Sequence, residues 1–202
     1  IAGGVGIAKD SFINSVKAGI GFTGADATNV TNTSFGNAAS DSATGIQNTA
    51  IGNQSLRGNT ASNVTGIGYF SADGNSGSGL CAFGGYAGYS NSGSNVTAFG
   101  YTAAYDCAGN NNVAVGDSAL SAGPCTGVDN TCGGYFSGRA VTSGTLNSAW
   151  GANSLNALTT GASNVGIGST VGNNLTTGSN NTIIGAAATV AAAGNDNSIV
   201  IG

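Results

Sequence analysis

Asn181-Thr182-Ile183-Ile184-Gly185 is one copy of a five-residue phrase, roughly Asn-Thr-Ala-Ile-Gly, that returns along the entire chain. Its closing glycine stands at Gly6, Gly21, Gly36, Gly52, Gly68, Gly84, Gly100, Gly116, Gly134, Gly151, Gly168, Gly185 and Gly202, at spacings of 15 to 18 residues. Self-similarity at so short a period marks a stacked array in which each copy packs on the next. The residue before the glycine is bulky and apolar in all copies but the one holding Gly133: Val5, Ile20, Phe35, Ile51, Ile67, Phe83, Phe99, Val115, Trp150, Ile167, Ile184 and Ile201. Two residues earlier Thr dominates, as at Thr33, Thr49, Thr65, Thr97, Thr131 and Thr182, and a small residue such as Ala50, Ala82, Ala98, Ala114 or Ala149 lies between the two columns.

Large, small, large with period 2 predicts a short β-strand with one face buried. Thr, Val and Ile suit such a strand through their β-branching. The bulky column is expected to be the buried core ladder, with the Thr column sharing its face and pointing inward. The glycine then marks a bend. Three residues on, a column of small residues (Ala39, Ser55, Ser71, Ala87, Ala103, Ala119) predicts a second, weaker strand and a thin interior. Asn-, Ser-, Thr- and Gly-rich loops absorb the drift in length. The expectation is an all-β fold, a parallel β-solenoid (β-roll or β-helix) of about 13 rungs of 15–18 residues. Residues 1–202 read as one domain, with sub-blocks 1–36, 37–116 and 117–202 differing in rung length. The pattern runs to both ends, as expected of a mature product or a piece of a longer chain.

The chain has 37 Gly, one Pro, no His and no Met, and its eight acidic residues are all Asp. Only 6% of residues are charged, far below the usual quarter, yet 40% are hydrophobic, which argues against disorder. No apolar run is long enough for a membrane helix. A net charge of −4 with four scattered basic residues argues against nucleic acid. A polar but uncharged surface fits an extracellular fibre. Without His or Glu, acid–base catalysis would fall to Asp or Cys. Asp106 and Asp117 are the pair that could converge as in a glycan-cleaving site, but solvated turn aspartates are the better reading. The chain is therefore expected to be no enzyme and to hold no metal and no cofactor.

Cys107 and Cys125 both lie nine residues before a closing glycine, so stacked rungs would place them side by side and predict a disulfide. Cys81 and Cys132 lie three rungs apart, too far to pair. Tyr69, Tyr101 and Tyr135 share the column after the glycine, and Tyr89 and Tyr105 align in adjacent rungs. Such aromatics could stack on sugars; packing between chains is the stronger expectation. One or two large apolar side chains per rung are few for a self-sufficient core, which predicts a homo-oligomer, most plausibly of three chains.

The units 152–168 and 169–185 resemble tandem repeats of phage tail-fibre and bacterial surface-fibre proteins. Less closely, the chain resembles the head repeats of trimeric autotransporter adhesins, a likeness carried best by Asn112-Val113-Ala114-Val115-Gly116 and Asn48-Thr49-Ala50-Ile51-Gly52. That resemblance implies trimeric β-rolls and a structural, adhesive shaft at a virion or bacterial surface, with a cell-surface glycan or receptor as its outside partner. The alternatives are a free-standing solenoid that binds ice or glycan, and a glycan-cleaving fibre. An inward Thr column and uneven rung lengths weigh against ice.

Overall fold

The computed structural model describes residues 11–13, 16–20 and 32–202. Val5 lies outside the described residues. Thirteen strands join in one sheet in sequence order. They are β1 (Ser11–Ile13), β2 (Val16–Ile20), β3 (Thr33–Phe35), β4 (Thr49–Ile51), β5 (Thr65–Ile67), β6 (Cys81–Phe83) and β7 (Thr97–Phe99). There follow β8 (Val113–Val115), β9 (Thr131–Gly133), β10 (Ser148–Trp150), β11 (Val165–Ile167), β12 (Thr182–Ile184) and β13 (Ile199–Ile201). From β3 to β13 every neighbour is parallel and in register, Thr33 opposite Thr49 and Phe35 opposite Ile51, and so on to Ile184 opposite Ile201. The described chain is thus a parallel β-solenoid of about ten turns, all-β and without helix. At about 4.8 Å per strand, ten steps make a rod on the order of 48 Å.

The expected 13 equivalent rungs are not all realised. β1 and β2 pair antiparallel, and so do β2 and β3, with Ile20 opposite Thr33 rather than in line with Phe35. Only two residues separate β1 from β2, a length that permits a hairpin and no solenoid turn.

The predicted second strand is absent. Its place is taken by overlapping four-residue turns after the closing glycine, three of them in most copies and fewer after Gly116 and Gly185. In the first, Ala39 donates to the Gly36 carbonyl at 3.4 Å, Asp41 to Ala38 at 3.3 Å and Ala43 to Ser40 at 3.2 Å. The third residue of each turn has positive φ: 53° at Ala38, 54° at Ser40 and 57° at Ser42. This is the φ pattern of a type II turn. Later copies put Gln54, Leu56, Phe70, Tyr86 or Thr170 at equivalent positive-φ positions. Each such residue costs about 1–2 kcal/mol relative to its ordinary conformation. The cost is offset where these N–H groups find carbonyls in a neighbouring turn, as Gln54 to Asn37 at 2.8 Å below and Leu56 to Ser71 at 2.9 Å above.

The interior is as thin as the small columns suggested. The middle residue of each strand from β4 to β12 points inward: Ala50, Ala82, Ala98, Ala114 and Ala149 are fully buried. Across from it stand the residues three and four after the glycine, and the two walls compensate in volume. Where the strand offers Gly66 or Gly166, Leu56 or Leu155 fills the gap; where it offers Ile183 or Cys132, Gly172 or Gly138 gives way. Serines on the far wall lock it to the strand, Ser55 Oγ donating to the Gly66 carbonyl at 2.8 Å and Ser154 Oγ to Gly166 at 2.9 Å. The bend at the closing glycine is steric. Its φ lies between +124° and +141°, and a Cβ on Gly52 would run into the Gly68 carbonyl.

Two inward corners complete each turn, and they are complementary. One lies four residues before the closing glycine, the other nine or ten before. In the turns closing at Gly116, Gly134, Gly151, Gly168 and Gly185 the first corner holds Asn112, Asn130, Asn147, Asn164 and Asn181, while the second holds Cys107, Cys125, Val141, Leu158 and Leu175, all buried. In the turns closing at Gly68, Gly84 and Gly100 the roles exchange: Val64, Leu80 and Val96 take the first corner and Asn59, Asn75 and Asn91 the second. Every one of these turns has one amide and one apolar side chain (or thiol). The amides form ladders. Asn147 Nδ2 donates to the Gly161 carbonyl at 2.9 Å and to Asn130 Oδ1 at 3.0 Å, while its own Oδ1 accepts from the Asn164 N–H at 3.0 Å. Buried amides satisfied this fully bind turn to turn.

Candidate interaction surface

Because the middle strand residue points in, its two neighbours point out. The Thr column and the bulky column therefore form two parallel files on the outer face of the sheet. This corrects the expected core ladder. Phe35, Ile51, Ile67, Phe83, Phe99, Val115, Trp150, Ile167, Ile184 and Ile201 do align in one file, but on the outside of the chain: Phe35 is 52% exposed, Trp150 47% and Ile201 76%. A three-residue strand reads large-small-large whichever side is buried, and the backbone-to-backbone spacing of the thin interior admits only the small set. The Thr column is corrected with it: Thr49, Thr65 and Thr97 stand half-buried on the same outer face.

The outer file is apolar along the whole stack. Phe83 and Phe99 stack with ring centres 4.7 Å apart. At Gly133 the file lacks a side chain, and the ring of Trp150 lies over the vacancy, where a Cβ on Gly133 would collide with it. The break in the sequence pattern is thus filled by the one tryptophan. An apolar strip of this length on a chain surface is characteristic of a contact with another molecule.

Flanking the strip, Tyr69, Tyr101 and Tyr135 project outward, Tyr101 being 56% exposed. Tyr89 stacks on Tyr105 with centres 5.1 Å apart and planes at 8°, and Phe70 on Tyr86 at 5.3 Å and 8°. Rings piled along the rod cover one another's faces and offer their edges to solvent. Arg57 lies over Phe70, 5.1 Å from the ring centre, held by a 2.8 Å bond to Asp73. Arg139 covers Phe136 in the same manner at 4.7 Å. Sugar rings stack on open aromatic faces, and in these ladders most faces are taken.

Asp106 and Asp117 are not brought together. The Asp106 carbonyl accepts from Cys125, beside the second corner, whereas Asp117 directly follows its closing glycine and hydrogen-bonds Ser118 at 2.6 Å. Among the described residues no three metal-ligating side chains converge, and no helix is long and apolar enough to cross a membrane.

Cys107 and Cys125 do meet, in an isolated parallel bridge between adjacent turns, as two buried thiols. Their hydrogen bond lowers Cys107, with help from the Gly109 backbone and the Asn112 amide, and raises Cys125, which burial pushes further in the same direction. Cys132 sits in the inward strand column, its thiol pushed up to about 12, chiefly by burial and then by the nearby Cys107. Cys81 stands half-buried in the outer Thr file.

Two further signals of the interior stand in the sequence. One is the recurring Asn four before the glycine. The other is a second glycine column seven before it (Gly45, Gly77, Gly93, Gly109, Gly127, Gly144, Gly161, Gly178), where any Cβ would strike the next turn and whose carbonyls receive the Asn ladder. Comparison of the chain with protein-family models, curated proteins and solved structures finds no match to any of them.

Proposed function

We propose that this chain is a segment of a structural, adhesive fibre shaft that works as a homo-oligomer, most plausibly of three chains, on the outside of a virion or bacterial cell. Its role is mechanical rather than catalytic: stacked turns give a stiff rod that carries an attachment surface toward a host glycan or receptor. The observation that carries this is the apolar file on the outer sheet face, from Phe35 to Ile201, carried across Gly133 by the Trp150 ring. Soluble monomers rarely leave so long an apolar strip in water, and copies of one chain meeting strip to strip would bury it. The near absence of charge, with four basic and eight acidic residues in 202, favours close lateral packing of identical rods. The test is the particle mass of the purified chain by light scattering or native mass spectrometry. Three chain masses are expected; a stable monomer at micromolar concentration would refute the assembly.

A second reading gains support from the outward Thr file. A flat sheet presenting Thr could order ice-like water, and the inward orientation that weighed against it does not hold. Cys81, Val113, Ser148 and Val165 interrupt the file, and Phe83, Phe99 and Trp150 stand beside it, so the fit to a lattice is poor. Thermal hysteresis in a dilute sample would favour this second reading over the shaft.

A further inference from the structure

Cys107 and Cys125 occupy the point where the interior changes register. Below them the amide ladder runs up the second corner, Asn75 donating to Asn59 at 2.7 Å and Asn91 to Asn75 at 2.9 Å. There it stops: the buried Oδ1 of Asn91 has no hydrogen-bond partner, because the next residue in that column is Cys107. The new ladder starts on the other corner with Asn112, whose Nδ2 reaches the Gly109 and Gly127 carbonyls and approaches Cys107 Sγ at 3.5 Å. The turn that follows, from Gly116 to Gly134, is the longest of the solenoid at 18 residues, and it contains the only proline, Pro124. So the two turns that carry Cys107 and Cys125 lie just above a gap in the side-chain ladder and include the longest loop.

We propose that Cys107 and Cys125 are joined as a disulfide that staples these two turns, closed while the chain folds in an oxidising compartment. The backbone already holds them as direct neighbours: Ala108 and Gly109 donate to the Cys125 carbonyl at 2.7 and 2.9 Å, and Cys125 donates to Asp106 at 3.2 Å. Paired strand residues stand about 4.8 Å apart, inside the Cα range of disulfides. The chemistry is thiol–disulfide exchange with a small disulfide such as oxidised glutathione. The Cys107 thiolate attacks one glutathione sulfur and expels the other half as a thiolate. Cys125 loses its proton and attacks the mixed disulfide at Cys107, expelling the second half. Two protons leave the protein thiols, two electrons pass to the oxidant, and two reduced glutathiones result. Both sulfurs are fully buried in the finished solenoid, so exchange belongs to the open chain, and the closed staple is sheltered from reductant. Cys132 faces Ser137 and Gly138 in the strand column, and Cys81 lies on the outer face, so neither is a partner.

The test does not depend on the oligomer. The full chain is refolded with reduced and oxidised glutathione, denatured, alkylated and digested. Two alkylated residues, Cys81 and Cys132, are expected, with a linked peptide pair carrying Cys107 and Cys125 that is about 2 Da lighter than the sum of its reduced halves. A staple across a loop of this length should raise the thermal midpoint by roughly 6–12 °C over the chain refolded under reductant. The Cys107→Ser/Cys125→Ser chain should lose that difference and the Cys81→Ser/Cys132→Ser chain keep it. If the first variant does not fold, the second still reports the linkage. Four alkylated cysteines after oxidative refolding, or a linkage involving Cys132, would overturn the proposal.

Discussion

Asn147 shows how much one side chain carries in this fold. Its amide serves the turn below through Asn130 and the turn above through Gly161 and Asn164. Asn147→Ala would leave the Asn164 N–H and the Gly161 carbonyl short of a partner inside a dry interior. We expect a loss of about 3 kcal/mol in urea unfolding; a loss under about 1 kcal/mol would show that water enters the corner. The importance of this residue could have been read from the motif itself, since Asn opens the phrase in most copies. What could not be read is the exchange of corners at Val64 and again at Asn112, because it requires knowing that positions four and nine before the glycine face the same interior.

At the scale of the single turn, the chain's periodicity gave the strand and its bend but left the face undecided. Three residues alternate in, out, in or out, in, out with equal regularity, and ordinary experience puts bulk inside. The far wall decides otherwise: with Ala103 and Ala104 fully buried opposite, only Ala98 fits within. The overlapping turns were illegible for a different reason. Residues such as Gln54, Leu56 and Thr170 carry no preference for positive φ, and the neighbouring turns impose it. Two substitutions one residue apart separate the alternatives. Ala98→Leu should cost at least about 3 kcal/mol by overpacking a filled interior. Phe99→Ser should cost a dilute single chain no more than about 1.5 kcal/mol, chiefly its stack on Phe83. Reversed costs would restore the inward file.

Across the whole rod, the outer face and the assembly can be tested with one natural probe. Cys81 is the only cysteine of the outer Thr file, while Cys107, Cys125 and Cys132 are buried within the chain. Neutral alkylating reagent should label Cys81 alone in a dispersed chain, slowly, since partial burial raises its thiol. If chains meet on the sheet face, labelling at Cys81 should fall at least about tenfold in the assembled particle and return on dissociation, a protection that follows from burial alone. Unchanged labelling would move the contact to another side of the rod.

The alternation of amide and apolar corners also governs how such a rod can lengthen. A duplicated copy of the segment closing at Gly168 would stack amide on amide and leucine on leucine, extending the column without a seam. A copy of the segment closing at Gly84, inserted in the same place, would set Leu80 among amides and Asn75 among leucines, orphaning hydrogen-bond groups at both joints. Lengthening by tandem duplication without orphaned groups is therefore confined to stretches that share a corner assignment, with the two exchange points as the boundaries between them.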